Sequence, residues 1–129
     1  MPWGADLVLL GSPEEITEAV FRLHRVGYEA RGLDLAAWKS AGLAVATSRL
    51  VSPRELYDLM RAPDAPVVVD VRLPNEWMGL RIGTVLNLPL SDLTALSAKL
   101  DPASPVNTVC NSAYRSSLAV GLLERKGFT

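Results

Sequence analysis

Short apolar runs alternate along the chain with segments whose apolar residues recur at helical spacing. The strongest run, residues 66–71 (PVVVDV), predicts a buried strand. The run at 7–10 and the segments 86–88 and 106–109 predict three more strands, and a short extended piece is expected around residues 30–33. The segments between them show one apolar face and predict helices. Strands that alternate with helices indicate a short parallel β-sheet covered by helices on both faces, which is an α/β fold.

Two of the predicted helices begin with the same signature, Ser-Pro-x-Glu, at residues 12–15 and 52–55. Serine is a good N-cap, proline suits the first helical position, and a glutamate three residues after the cap can bond back to it. Further helices are expected through residues 35–38, after Ser91, and over residues 115–126.

The first strand–helix unit resembles the last one. Residues 7–28 align without a gap on residues 107–128. Any two strand–helix units share some apolar spacing, but this number of identities favours a true duplication. The separation of the two units along the chain is typical of the length of one domain. The identical pairs are Ser12/Ser112, Ala19/Ala119, Val20/Val120, Leu23/Leu123, Arg25/Arg125 and Gly27/Gly127.

Composition narrows the class of protein. Thirteen basic and fourteen acidic residues give a net charge of −1, so a nucleic-acid partner is not expected. No apolar run approaches the roughly 20 residues of a membrane-spanning helix. One cysteine and one histidine predict neither an internal disulfide nor a usual zinc site. Because residues 1–6 lack the basic region of a signal peptide, we expect a cytoplasmic protein.

The single cysteine stands where a reactive thiol is expected. Cys110 follows the predicted strand 106–109 and precedes the last helix, whereas its counterpart in the first unit is the inert Leu10. Backbone N–H groups of such a loop, the helix dipole and the charge of Arg115 would lower the pKa of the thiol and make it a nucleophile. On spacing alone, a buried inert cysteine remains the alternative.

Motifs along the chain resemble the rhodanese family of sulfurtransferases. The Asp70-Val71-Arg72 segment and the loop Cys110-Asn111-Ser112-Ala113-Tyr114-Arg115-Ser116 resemble the family's D-V-R and C-x-S-G-Y-R-S motifs. Supporting similarities lie at residues 74–77, 87–90, 122–123 and 127–128, and residues 36–38 and 41–43 resemble the end of a rhodanese domain. A chain that contains parts of two rhodanese-like copies is similar to the tandem rhodanese portion of metallo-β-lactamase–rhodanese fusion proteins.

The resemblance implies a rhodanese-like fold and sulfurtransferase activity. Cys110 would carry sulfane sulfur from thiosulfate or a persulfide donor to a thiol or cyanide acceptor, with no cofactor and no metal. Substrate would be bound by Asn111, Ser112, Ala113, Tyr114, Arg115 and Ser116, and the loop would be braced by Asp70 and Arg72. The alternative is a catalytically inactive interaction or regulatory module. The six-residue spacing from Cys110 to Arg115 is typical of sulfur transfer rather than of phosphatases or arsenate reductases.

The rhodanese elements occur in permuted order. Residues 1–44 resemble the C-terminal part of a first, cysteine-less copy, and residues 45–129 the N-terminal and active-site part of a second; we expect them to form one compact unit. Arg31 or Gly32 would then pair beside Val109, within one chain or through a homodimer or strand swap. Ala113 replaces a family glycine, which is costly if the position needs a positive φ.

Overall fold

The computed structural model describes residues 3–128. The chain divides into two compact units, Met1–Thr47 and Ser48–Thr129, instead of the single unit expected from the sequence. The assignment of residues 1–44 and 45–129 to two rhodanese-like copies stays a prediction. Within the described part of the chain, no helix has the length and apolar character needed to cross a membrane.

The first unit is a small parallel β-α-β arrangement followed by a short helix. Strands β1 (Leu7–Leu10) and β2 (Ala30–Leu33) pair in parallel, with Leu7 opposite Ala30 and Leu10 opposite Leu33, and are joined by helix α1 (Pro13–Arg25). Helix α2 (Leu35–Ser40) follows β2. Helix α1 lies so close to β2 that a Cβ atom at Gly32 would collide with the Ile16 side chain.

The second unit contains a three-stranded parallel sheet in the order β4-β3-β5. Along the chain, its elements are α3 (Pro53–Leu59), β3 (Val67–Asp70), α4 (Pro74–Gly79), β4 (Leu86–Asn87), α5 (Leu93–Leu96) with a following 3-10 turn (Ser97–Lys99), β5 (Val106–Val109) and α6 (Tyr114–Glu124). The α/β fold class predicted from the sequence is therefore confirmed.

The core of this unit lies on both faces of the sheet. Successive side chains of a strand point to opposite faces, so Val68 and Val69 enter different clusters. Val68 packs with Leu56 of α3 and with Val85, whereas Val69 packs with residues that include Leu93 of α5, Ala119 and Leu123 of α6. Helices on both faces hold β3 at the centre and fix the position of its carboxyl end.

The capping predictions hold at both Ser-Pro-x-Glu sites. The hydroxyls of Ser12 and Ser52 accept the N–H groups of Glu15 and Glu55, and each glutamate bonds back to its serine. Helix α4 was not predicted, although Pro74 at its start and an acidic residue in its first turn are helix-start signals.

Helices α1 and α6 end in the same way. Gly27 and Gly127 have φ angles of 81° and 90°, a conformation that favours glycine. The next residues, Tyr28 and Phe128, donate backbone hydrogen bonds to the Leu23 and Leu123 carbonyls. The two aligned segments therefore share their C-terminal cap geometry as well as their residues.

The expected pairing of β2 with the cysteine strand is wrong for a single chain. Arg31 and Gly32 lie opposite Val8 and Leu9 of β1, and β5 pairs with β3 in the part of the chain that the structure describes. A nearby strand is the less costly partner because a short connection loses less entropy on closure than a long one. Pairing between two chains stays a prediction.

Candidate active site

The candidate site is the cysteine loop, residues Cys110–Ser116, which follows β5 and includes the first residues of α6. β5 lies beside β3, with Val109 opposite Asp70, so the carboxyl ends of the two strands meet at one edge of the sheet. This edge is where open α/β sheets bind ligands. The loop therefore lies next to the residues that directly follow β3, which include Arg72.

The Cys110 sulfur lies among hydrogen-bond donors from its own loop. The backbone N–H of Ser116 donates to Sγ at 3.4 Å, and the Ser116 Oγ lies 3.5 Å from Sγ. As a thiol, Cys110 donates to that hydroxyl oxygen, whose own hydrogen goes to the Ala113 carbonyl; as a thiolate, Cys110 accepts the hydroxyl hydrogen in place of that carbonyl. The residue is only partly exposed.

Opposing effects set the pKa of the Cys110 thiol. Burial raises the pKa, because a charged sulfur loses hydration. The Ser116 hydroxyl and the backbone N–H groups of Ser112, Ser116 and Arg115 favour the thiolate by hydrogen bonding. These bonds outweigh burial, and the pKa of Cys110 is lowered from its ordinary value. At a given pH, more of Cys110 is therefore in the nucleophilic thiolate form than for an ordinary cysteine.

The loop turns through a strained alanine. Ala113 has φ 61° and is the one non-glycine residue with a positive φ in the described range 3–128. This left-handed conformation costs an alanine roughly 1–2 kcal/mol. Its carbonyl accepts the Ser117 N–H at 2.9 Å, the Ser117 hydroxyl at 2.7 Å and the Ser116 hydroxyl at 2.9 Å, so the turn is fastened to the start of α6.

Arg115 is bound by a carboxylate from helix α4. Its two terminal nitrogens donate to both oxygens of Glu76, at 2.7 and 2.9 Å. The hydrogen bonds from Arg115, followed by the backbone N–H of Leu73, lower the pKa of Glu76 to about 2. The sequence interpretation placed Arg115 as a charge for the sulfur and did not include Glu76 in the site. The glutamate of the motif at residues 74–77 was the signal available for it.

A buried ion pair connects the end of β3 to the cysteine loop. Arg72 binds Asp70 at 2.7 Å, and both side chains are almost fully buried. The same guanidinium donates to the Asn111 side-chain oxygen at 3.1 Å and to the Leu80 carbonyl at 2.6 Å. The structure thus places Arg72 where it can brace the loop, with Asp70 holding its guanidinium.

The remaining predicted site residues, and Trp77 of the motif at residues 74–77, differ in their placement. Ser112 contributes its backbone N–H toward the sulfur, and Ser116 is buried beneath it. Tyr114, in contrast, is 76% exposed. Trp77 packs against the Leu56–Val68–Val85 cluster, and its ring lies under the guanidinium of Arg81 at 4.6 Å.

Comparisons with known proteins agree with this architecture. A family model described as "Rhodanese-like domain" matches residues 52–129, which is more than half of the chain and includes the whole cysteine loop. The chain is also similar to an uncharacterized protein, YqhL, of Bacillus subtilis (strain 168), with 36% identity over 62 residues. That match covers 48% of this chain and 49% of the relative, so the chain spans about half the length of the curated relative. The chain belongs to the rhodanese-like domain family.

Proposed function

We propose that this protein is a sulfurtransferase that carries sulfane sulfur on Cys110. The observation that supports this function best is the arrangement of loop donors around Sγ, including the Ser116 N–H at 3.4 Å. Hydrogen bonds from Ser112 and Arg115 also favour the negative sulfur. Such fixed donors stabilise a charged sulfur without reorganising when the reaction occurs.

The first half-reaction loads Cys110. Its thiolate attacks the outer sulfur of a donor, a new S–S bond forms on Cys110, and the old S–S bond breaks. The electron pair of the broken bond leaves with the remainder of the donor, as sulfite from thiosulfate or as a thiolate from a persulfide. The oxidation states of the sulfurs balance within the two reactants, so no cofactor is required.

The second half-reaction removes the transferred sulfur from Cys110. An acceptor thiolate or cyanide attacks the outer sulfur of the Cys110 persulfide and takes it, and the Cys110 thiolate leaves with the electron pair. The Cys110 thiolate attacks in the first half-reaction and leaves in the second, and in both it carries its charge on Sγ, toward which the loop N–H groups donate. The same donors therefore serve both half-reactions.

Turnover with defined donors and acceptors tests the proposal. The protein is incubated with glutathione persulfide or thiosulfate and with a small thiol or cyanide, and the acceptor product is quantified. We expect catalytic turnover that is lost in Cys110→Ser. Absence of turnover with every donor would favour the inactive interaction or regulatory module.

The cellular location, the domain context and the excluded substrates expected from the sequence are also part of this proposal. We place the protein in the cytoplasm, and we regard a role beside a metallo-β-lactamase domain as a hypothesis based on sequence resemblance. Phosphate and arsenate are not the proposed substrates, because the loop contains six residues from Cys110 to Arg115. Hydrolysis of an aryl phosphate by the wild-type protein would contradict this choice.

A further inference from the structure

Four charged side chains lie in two pairs around the cysteine loop. Asp70 and Arg72 form the buried pair, and Glu76 and Arg115 form the second, less buried pair through two hydrogen bonds. Asn111 joins them, since its oxygen accepts from Arg72 at 3.1 Å and its amide nitrogen lies 3.5 Å from Glu76. The formal charges of the four groups sum to zero, so each arginine is already neutralised by a carboxylate.

Arg81, which follows helix α4, contacts an aromatic ring. Its guanidinium lies over the Trp77 ring at 4.6 Å. The low pKa of Glu76, about 2, keeps its carboxylate charged throughout the neutral range, so the Arg115 charge is balanced under all ordinary assay conditions. Arg72 and Arg115, the arginines that bond to the loop or belong to it, are thus each paired with a carboxylate, and the loop offers a donor mainly its N–H groups.

The two donor classes make different demands on such a loop. Thiosulfate brings two negative charges to a thiolate that already carries one, and like charges at contact distance repel strongly where water is partly excluded. A neutral persulfide brings no charge at its reacting end, and an ionised one brings a single charge. A loop with unpaired cations would suit thiosulfate, whereas a loop with neutralised cations suits a persulfide.

Resting on the proposed function, we infer that Glu76 is a positioning residue that neutralises Arg115 and thereby makes the site selective for persulfide donors over thiosulfate. Sulfur transfer then begins when the Cys110 thiolate attacks the outer sulfur of R–S–SH. A bond forms between Sγ of Cys110 and the outer sulfur, and the S–S bond of the donor breaks, with its electron pair leaving on the inner sulfur as R–S⁻. The proton stays on the transferred sulfur, giving Cys110–S–SH, and can then pass to solvent.

Substitution of Glu76 tests whether its charge sets the preference between donors or whether the residue only maintains the structure. Values of kcat/KM are measured for glutathione persulfide and for thiosulfate with the full chain. We expect wild type to prefer the persulfide, and Glu76→Gln to raise kcat/KM for thiosulfate about tenfold while changing the persulfide value less than about threefold. The gain for thiosulfate should shrink as salt is added. Glu76→Asp, which keeps the charge, should retain the wild-type preference.

A matched control removes the same charge elsewhere. Asp64 is exposed and lies in the turn before β3, at the opposite end of that strand from the cysteine loop. Asp64→Asn changes the net charge as Glu76→Gln does, and we expect it to leave both kcat/KM values unchanged. A similar gain for thiosulfate in Asp64→Asn would show that net charge, and not Glu76, sets the preference.

Three results would overturn the inference. They are a wild-type preference for thiosulfate, an unchanged or lower thiosulfate value in Glu76→Gln, and an equal loss with both donors, which would make Glu76 structural only. Each leaves the proposed function standing, because sulfur transfer through Cys110 still occurs in the wild type. Failure of the proposed function would give a different result, in which the wild-type protein takes up sulfur from neither donor.

Discussion

Cys110 combines partial burial with several hydrogen-bond donors, and these act on its pKa in opposite directions. Burial raises the pKa, whereas the Ser116 hydroxyl and the loop N–H groups lower it and prevail. The thiolate is therefore present at a lower pH than in an ordinary cysteine. We expect the rate of alkylation by iodoacetamide to rise with a midpoint below the normal thiol value of ~8.5.

The pH profile of that alkylation is measured in wild type and in Ser116→Ala. Removal of the hydroxyl should move the midpoint upward, toward the ordinary value, because one stabilising bond to the thiolate is lost. A wild-type midpoint at or above ~8.5 would contradict the account of the loop.

Ala113 pays a conformational cost that a glycine would avoid. Its φ of 61° costs an alanine roughly 1–2 kcal/mol, and glycine in turn loses about 0.5–1 kcal/mol of chain entropy. Ala113→Gly should therefore raise the free energy of unfolding by about 0 to 1.5 kcal/mol, and should raise or leave unchanged any sulfurtransferase rate.

Denaturant unfolding and donor turnover check the prediction for Ala113. Ala95, in helix α5, offers a matched control, and Ala95→Gly should lower the free energy of unfolding by about 1 kcal/mol. A large loss of rate in Ala113→Gly, or a destabilisation like that of the control, would show that alanine is the better residue in this turn.

At the scale of elements, strands are predictable from the sequence where the local pattern of residues is strong. The apolar run at 66–71 identifies β3, because buried parallel strands need such runs, and the β-branched segment 106–109 identifies β5. Helix α4 was missed, because the short segment Pro74–Gly79 shows no apolar periodicity. The sequence also suggested Cys110 and Arg115, whereas the Glu76–Arg115 pair joins residues far apart in sequence and depends on the folded arrangement of α4 and α6.

The link between β3 and the cysteine loop predicts a large effect of its buried pair. Asp70→Asn leaves the buried guanidinium of Arg72 without its carboxylate and loosens its hold on Asn111. Breaking a buried pair in this way costs about 3–5 kcal/mol. We expect a strong fall in the free energy of unfolding, measured by denaturant titration.

An exposed ion pair of the same unit is the control. Asp58 binds Arg54 on the surface of α3, and Asp58→Asn should cost less than about 1 kcal/mol. Equal effects of the two substitutions would contradict the bracing role assigned to the Asp70–Arg72 pair.

For the whole molecule, the two units differ in how much they bury. None of the described residues 3–47 is buried, and Val8 and Leu10 of β1 are 60% and 62% exposed. In the second unit, Val69 and Leu93 are fully buried. The sequence could not show this difference, because the apolar run at 7–10 looks like that of a buried strand whether or not a neighbouring element covers it.

Native-state hydrogen exchange measures the consequence. Because no described residue of the first unit is buried, the amides of β1 and β2 should exchange faster than those of β3 and β5. Equal protection of both sheets at low protein concentration would contradict this expectation. Protection of β1 and β2 that grows with concentration would support the homodimer or strand swap expected from the sequence.

Transfer of one sulfur atom to and from Cys110 tests the central claim most directly. The reduced protein is treated with glutathione persulfide, freed of donor, and its intact mass is measured before and after addition of an acceptor thiol, with Cys110→Ser in parallel. The account predicts a gain of one sulfur atom on the Cys110 peptide, its loss to the acceptor, and no gain in the variant. An unmodified wild-type protein with a free Cys110 thiol, or a gain that Cys110→Ser retains, would contradict it.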